Sequence, residues 1–500
     1  MSFINNSKPG KILRLFIYIF LFLFSYSFYA KQTIKHMQVS KELSDQLCYC
    51  DFCNEITSDT AIRACKPRIQ DYVKHKNVKK ITKKPKRTII VYMAADNDLR
   101  IFAARNIQQM SLVGSNKNVN ILVHLDIRIS GNKKITRRYL IEKDKVFHID
   151  SYDIFTQHMD SGNPATLISC CEWAIKNYPA DDYDLILWNH GTGILEPPHG
   201  KIINPMDLFI FNPTTHLLEL DRSVGFIDAI SESSNNLRGV CWDDTTGNYL
   251  SNKKLDTALQ IIRDKFLGGK KFGIIGFDAC LMAMAEVCSF IKKHALVMAS
   301  SQEVELGMGW KYDDVLQPFL QESLDTFSFA RNIVASYEKT YQSITYDYTF
   351  SAISLREMSQ LEKNINDISV LLIDGLNRQK AVYSRIIKES RNKHTCTHFD
   401  EPSYIDLRHF YVNLLANINR AGSEVLQNNN SMRDVLLAKL REGIAIIEKL
   451  VIANVTGRNL KNACGISIYF PERSIHSSYK EALFLESNHW GAFLSHYLFG

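Results

Sequence analysis

Several apolar stretches in this chain lack the alternation of a strand with one wet face, and that constrains the fold more than any other feature. Thr88–Ala94, Val119–Asp126, Arg138–Ile141, Asp184–Asn189, Gly273–Asp278 and Ala295–Ser300 read as strands, several of them Val-, Ile- and Leu-rich. A strand apolar at successive positions must be covered on both faces, as in a parallel sheet between helices. Helical periodicity falls between the strands, for example at Thr166–Asn177 and Lys254–Phe266. The pattern predicts a three-layer α/β/α sandwich with a mostly parallel central sheet.

Two of these strands end in reactive side chains. One runs through Leu187, Trp188 and Asn189 into His190-Gly191, and the other through Gly276, Phe277 and Asp278 into Ala279-Cys280. Ligands gather outside the carboxyl ends of strands in such sheets, so imidazole and thiol are expected to share a site. The sequence after Cys280 reads as passing straight into a helix, whose unpaired N–H groups and dipole favour thiolate. A thiolate attacks a carbonyl carbon, and His190 carries the proton to the leaving amine. Gly191, without a Cβ, brings its N–H near a developing oxyanion beside that of Cys280. Asp278 projects to the same side as Cys280 and would select a cationic side chain. The competing reading of any one cysteine is inert core. His-Gly after a buried strand weighs against it, since imidazole gains nothing by closing an apolar run.

Five stretches in order carry a resemblance. They are Thr88–Leu99, Leu185–Gly193, Gly276–Glu286, Ala299–Glu303 with Gly309-Trp310, and Gly465–Pro471. With them the chain resembles the clostripain family of cysteine endopeptidases, in the clan with the caspase-like fold, over roughly residues 88 to 500. The resemblance implies a caspase-like sandwich, a His190/Cys280 dyad, and Asp278 on the floor of a pocket for Arg or Lys before the scissile bond. The family lines the same pocket with the segment Gly307–Gly309, which here holds Met308. Glu303, Glu305, Asp313 and Asp314 are the acids nearby, each expected on its own to be a solvated loop charge. The chemistry requires no cofactor and no metal site is read, although the family includes calcium-dependent members.

The segment before this resemblance reads differently. Lys8, Lys11 and Arg14 precede an uncharged run, Leu15–Ala30. It falls short of the ~20 residues that span a bilayer and suits a signal peptide. A membrane anchor through residues 12–30 is the runner-up, so the expected location is exported: secreted, periplasmic or cell-surface. Of the net charge of +7, residues 1–30 hold three positives and Lys74–Arg87 eight, leaving the body from Thr88 net negative. A nucleic-acid partner needs basic charge on the folded domain, so none is expected. Cys48, Cys50, Cys53 and Cys65 lack the paired spacing of common zinc sites, and in an exported chain two disulfides are expected. Cys288 and Cys464 read as core.

From Ile194 to Gly239 the pattern lapses into Pro, Ser and Asn clusters. So long an irregular stretch is functional or disordered. The resemblance implies self-cleavage there, with Lys201, Arg222 and Arg238 as candidate cut sites; an insertion never cut is the alternative. After Ser354 the chain turns helical, at Met358–Asn377 and Met432–Ile452, with one more strand at Gly465–Phe470. The expected division is 1–30 signal peptide or anchor, 31–87 Cys-containing pro-segment and basic linker, 88–354 catalytic domain with insertion 194–239, and 355–500 C-terminal helical subdomain. The expected activity is cleavage of protein or peptide substrates after Arg or Lys through a thioester. An idle relative serving as a binding module, and a related peptidase of different specificity, are the alternatives. Nothing in the sequence speaks to oligomeric state.

Overall fold

The non-alternating strands assemble into one nine-stranded sheet. In chain order its strands are β1 (Arg87–Ala95), β2 (Val119–Ser130), β3 (Lys133–Glu142), β4 (Lys145–Ile149) and β5 (Asp182–Trp188). They continue with β6 (Phe272–Asp278), β7 (Ala295–Ser300), β8 (Thr349–Ser354) and β9 (Val451–Thr456). The computed structural model describes residues 85–130, 133–149, 159–196, 198–199, 208–223, 225–226, 236–237, 239–422 and 430–500. The expected signal peptide or anchor, the four early cysteines, Lys201 and Arg238 lie outside the described residues.

Across the sheet the order is β9-β8-β7-β6-β5-β1-β2-β3-β4. The five inner strands, β7 to β2 in that order, are parallel. Two antiparallel strands extend each side. Every residue of β1 and β6 is buried, which explains their unbroken apolar runs.

Helices cover both faces. One layer contains α1 (Arg100–Val113), and the other α2 (Pro164–Asn177), α3 (Asn252–Lys265) and α4 (Ala285–Ile291). The first layer continues with α5 (Tyr312–Leu316) and α6 (Thr326–Tyr341), which packs on β7 and β8. Helices α2 and α3 begin two residues ahead of the expected starts. Asn163 caps α2 by accepting the Ala165 N–H with Pro164 at the first helical position, and Ser251 caps α3 from its hydroxyl.

The long helices α7 (Met358–Ser390), α8 (Leu407–Ala421) and α9 (Asn430–Leu450) pack against one another; the amphipathic pattern points to α7 and α9, but not to α8 or to the extension of α7 beyond Asn377. They are not detached from the sheet, because β9 follows α9 directly and pairs with β8. The strand expected at Gly465–Phe470 narrows to Ser467–Tyr469 and pairs with Tyr404–Asp406, apart from the central sheet. Cys288 is buried as expected, but Cys464 is only half-buried, with its sulfur 3.7 Å from Arg408 Nη1.

The chain leaves β1 toward β2 but builds β5, β6 and β7 on the other side of β1. The sheet therefore changes direction between β1 and β5, and the crevice outside their carboxyl ends is where such folds place a site.

Candidate active site

Three strand ends meet at that crevice. After β1 comes Asp96-Asn97-Asp98, after β5 Asn189-His190-Gly191, and after β6 Ala279-Cys280. Asn189 ties them together. Its amide donates to Ala94 O at 2.5 Å, its oxygen accepts the Trp242 N–H at 2.9 Å, and its own N–H reaches Asp278 O at 3.2 Å. Asn97 likewise donates to Ala94 O and Trp242 O.

His190 is buried and held on two sides. Nε2 lies 2.8 Å from Asp98 Oδ1, and the ring stacks on Trp242 with centroids 4.5 Å apart. Phe226, from the insertion, approaches the same ring at 5.9 Å. With Nε2 committed to a carboxylate, Nδ1 is the nitrogen left for proton transfer. No sequence reading singled out Asp98, Asn189 or Trp242, although Asp98 lay inside the first stretch of the resemblance.

Cys280 departs from expectation. It occupies a turn, and α4 begins only at Ala285. Leu281 adopts φ = +64°, a left-handed conformation unusual for a branched side chain. The Leu281 N–H then bonds to Glu303 O and the Ala283 N–H to Ser301 O, pairings that keep this loop out of a helix. The helix-dipole argument for a thiolate therefore fails. Sγ instead accepts the Glu305 N–H at 3.2 Å. Burial, then the charge of Glu305, push the thiol well above its ordinary pKa, so the resting group is neutral.

Gly191 fits the close approach asked of it. A Cβ there would lie 2.6 Å from Cys280 O and 2.9 Å from Met282 Cγ. The N–H groups of Gly191 and Cys280 meet no described acceptor. Asp278 is buried and accepts from the Trp310 N–H at 3.1 Å and the Tyr312 hydroxyl at 2.8 Å. Burial outweighs these bonds and pushes its carboxyl up to about 7. Gly309, at φ = +61°, packs so tightly that a Cβ would fall 2.6 Å from Asp278 Oδ1.

His190, Asp278, Cys280 and Glu305 line one cavity, together with Leu208 and Phe226 of the insertion. Its volume of about 30 Å³ holds little more than a water. The acids near the pocket divide in two. Glu303 and Glu305 are buried, against the expectation of solvated charges, because they follow β7 into the interior. Asp313 and Asp314 lie nearer the surface with Lys311. Among the candidate cut sites, Arg222 is half-exposed and ion-paired with Glu303 at 3.0 Å and Asp347 at 3.2 Å.

Calcium would need several carboxylate or carbonyl oxygens free to converge on it. Among the described residues, one cluster of acids, Asp96, Asp126, Asp243 and Asp244, already surrounds Lys134 and Arg128. Lys134 Nζ is 3.1 Å from Asp126 and 3.4 Å from Asp96, and bonds to Asp243 as well. An ammonium in that place leaves no room for a divalent cation.

Comparison with known proteins agrees with this geometry. A sequence model of the clostripain family matches residues 91–201 and 228–496. Clostripain of Hathewaya histolytica is 27% identical over 256 residues, 47% of this chain; the chain spans only 42% of that relative's length. A secreted C11 cysteine protease from Bacteroides thetaiotaomicron, in complex with an irreversible peptide inhibitor, superposes with TM-score 0.52 at 20% identity. That match covers 81% of this chain and 99% of the other. An inactive zymogen C11 protease from Parabacteroides distasonis gives TM-score 0.53 at 17% identity over 83% of this chain and 99% of its own. At these identities the two structures speak for the fold. The family match, which spans most of the chain, goes further: this protein belongs to the clostripain family.

Proposed function

We propose that this chain is a cysteine endopeptidase that cuts after Arg or Lys, held latent by its insertion. The observation that carries the reading is the shared cavity of His190, Cys280 and Asp278 at the carboxyl ends of adjacent strands. In the proposed reaction the Cys280 proton passes to His190 Nδ1, and sulfur attacks the carbonyl carbon before the scissile bond. The Gly191 and Cys280 N–H groups hold the oxyanion. The imidazolium, supported by Asp98, gives its proton to the departing amine, leaving a thioester. Water, deprotonated by His190, then adds to the thioester carbon and releases the acid and the thiol.

Latency follows from the state of the groups. A neutral thiol, a carboxyl titrating near 7 and a cavity of about 30 Å³ suit a resting enzyme better than a working one. Leu208 and Phe226 supply part of the wall, so removing the insertion would widen the site. Self-cleavage at Lys201 or Arg238 is favoured over Arg222, whose guanidinium must first leave Glu303 and Asp347. Export through the N-terminal segment accords with a precursor of this kind.

The test compares the reduced full chain with Cys280→Ala on fluorogenic peptides ending in Arg, Lys, Asp or Asn, with and without calcium. Turnover of the Arg or Lys peptides by the unaltered chain alone supports the proposal. Turnover confined to Asp or Asn peptides would replace the specificity, and no turnover after cleavage of the insertion would reject the activity.

A further inference from the structure

The parallel strands that carry the site have a second rim, at their amino ends. Register fixes its members. Arg87 of β1 stands beside Asp182 of β5, and Ile275 of β6 beside Leu185, so counting β5 and β6 back three residues brings Phe272 level with Asp182. Ala295 of β7 pairs with Phe272 directly. Just ahead of this level come Lys86, Lys270-Lys271 and Lys292-Lys293, and the end of α3 brings in Arg263 and Lys265. Two hydrogen bonds draw the group together. Lys271 Nζ donates to Lys292 O at 2.6 Å, and Arg263 Nη1 to Lys293 O at 2.9 Å. Only β5 separates β1 from β6, so Lys86 joins the same rim about 10 Å away.

Part of this charge is neutralised and part is not. Arg263 pairs with Asp264, Lys292 with Glu362 and Lys293 with Asp256. Lys265, Lys270 and Lys271 are exposed and have no acidic partner among the described residues. The helix dipole favours cations such as Arg263 and Lys265 at the end of α3. It does not account for Lys270, which follows an open turn. Gly268 at φ = +60° and Gly269 at φ = +80° have nothing within 4 Å of the place a Cβ would take. Crowding of like charge is felt at Lys271, whose pKa is lowered first by partial desolvation and then by Arg263 and Lys292.

We infer that this rim rests on an anionic lipid bilayer, as a peripheral contact that leaves the catalytic crevice facing the solution. Continuity of the chain favours lipid over other polyanions. Seven lysines from Lys74 to Lys86 lead into the start of β1, at this rim, and the apolar run Leu15–Ala30 precedes them in sequence. Basic segments beside an apolar one meet the negative surface of a membrane, where each Lys or Arg contributes about fivefold in binding. The crevice lies at the other end of Phe272–Asp278, about 20 Å away along β6, so a protein seated on this rim keeps it open to solution. The contact concerns attachment and does not depend on the peptidase reading.

Co-sedimentation of the full chain with vesicles tests the contact. Vesicles of phosphatidylglycerol and phosphatidylcholine, about 40:60, should bind it at least about tenfold more tightly than phosphatidylcholine alone. The apolar run acts on both kinds of vesicle and cancels in that ratio, and about 0.5 M sodium chloride should abolish it. Combined Lys265→Glu, Lys270→Glu and Lys271→Glu should cut the preference by at least about tenfold and leave binding to phosphatidylcholine alone within about twofold. Arginine at the same three positions should preserve it, and Cys280→Ala should bind as the unaltered chain does. Should melting curves show the triple variant unfolded, Lys270→Glu on the open turn is read instead, with an expected loss of about fivefold. An undiminished preference in the folded variant overturns the inference, as does equal binding of the unaltered chain to both vesicles. Rim-dependent binding to heparin with no preference for anionic vesicles would assign the rim to a polysaccharide and overturn the lipid contact.

Discussion

Asp98 commits Nε2 of His190 and so decides how the imidazole stands. The carboxylate fixes the ring's orientation and would stabilise the imidazolium formed during proton transfer. Asp98→Asn keeps the shape and removes the charge. Under the proposed reaction it should lower kcat on an Arg peptide by about 10- to 100-fold and leave KM within about twofold. Steady-state kinetics on the cut protein checks this, and a change confined to KM would place Asp98 in substrate binding instead. The sequence exposed His190, Cys280 and Asp278 because each closes or follows an apolar run, where a polar group needs a reason. It did not expose Asp98 or Asn189. Their partners lie on other strands, and only the order β6-β5-β1 brings those ends together.

Elements were legible in proportion to their apolar content. The inner strands stood out because burial on both faces leaves no polar position to confuse the reading. β8 escaped notice: Thr349-Phe-Ser-Ala-Ile-Ser354 mixes small hydroxyl residues with apolar ones, yet all six are buried. Its hydroxyls find partners inside, as Ser351 does on Gly465 O. The helix expected right after Cys280 failed for a related reason, since lateral pairing with the segment after β7 outweighed local propensity. The insertion, irregular in sequence, still docks by specific bonds. Arg222 pairs with Glu303 and Asp347, and the Phe226 N–H donates to Asp400 at 2.6 Å. If these bonds hold the uncut precursor shut, Arg222→Met should speed its first self-cleavage about three- to tenfold. A time course on gels, with Cys280→Ala as control, measures it, and an unchanged rate would show that the insertion is held elsewhere.

At the scale of the whole molecule, buried charge ties the sheet to the site. Lys134 of β3 neutralises Asp96 at the end of β1, Asp126 of β2 and Asp243 beside Trp242, so three segments depend on one ammonium. Removing one partner from such a cluster strands the others, and Lys134→Met should cost about 3–5 kcal/mol of stability, read from urea unfolding. A loss under 1 kcal/mol would mean that the acids are already neutral.

Buried acids elsewhere set the pH response. Asp278, Glu286 and Asp400 are each pushed up to about 7, burial being the main cause in all three. The unfolded chain releases these protons near pH 4. Between pH 4 and about 7 the folded state therefore binds more protons than the unfolded one, and stability falls as pH rises through that window. Below about pH 6.5 the half-buried His398, His409 and His476, whose pKa values are lowered mainly by desolvation, act in the opposite direction. The carboxyl effect is consequently read between pH 6.5 and 8, where the melting temperature should drop by a few degrees. Glu286 isolates it, lying in α4 away from the reacting groups. Its Oε1 accepts from the Tyr469 N–H and the Tyr479 hydroxyl, while Oε2 has no hydrogen-bond partner among the described residues. Glu286→Gln preserves the acceptor and cannot ionise, so the drop should become shallower in that variant. Melting curves at constant ionic strength decide the matter: a flat or rising profile in the unaltered chain would mean that these carboxyls are ionised in the folded protein.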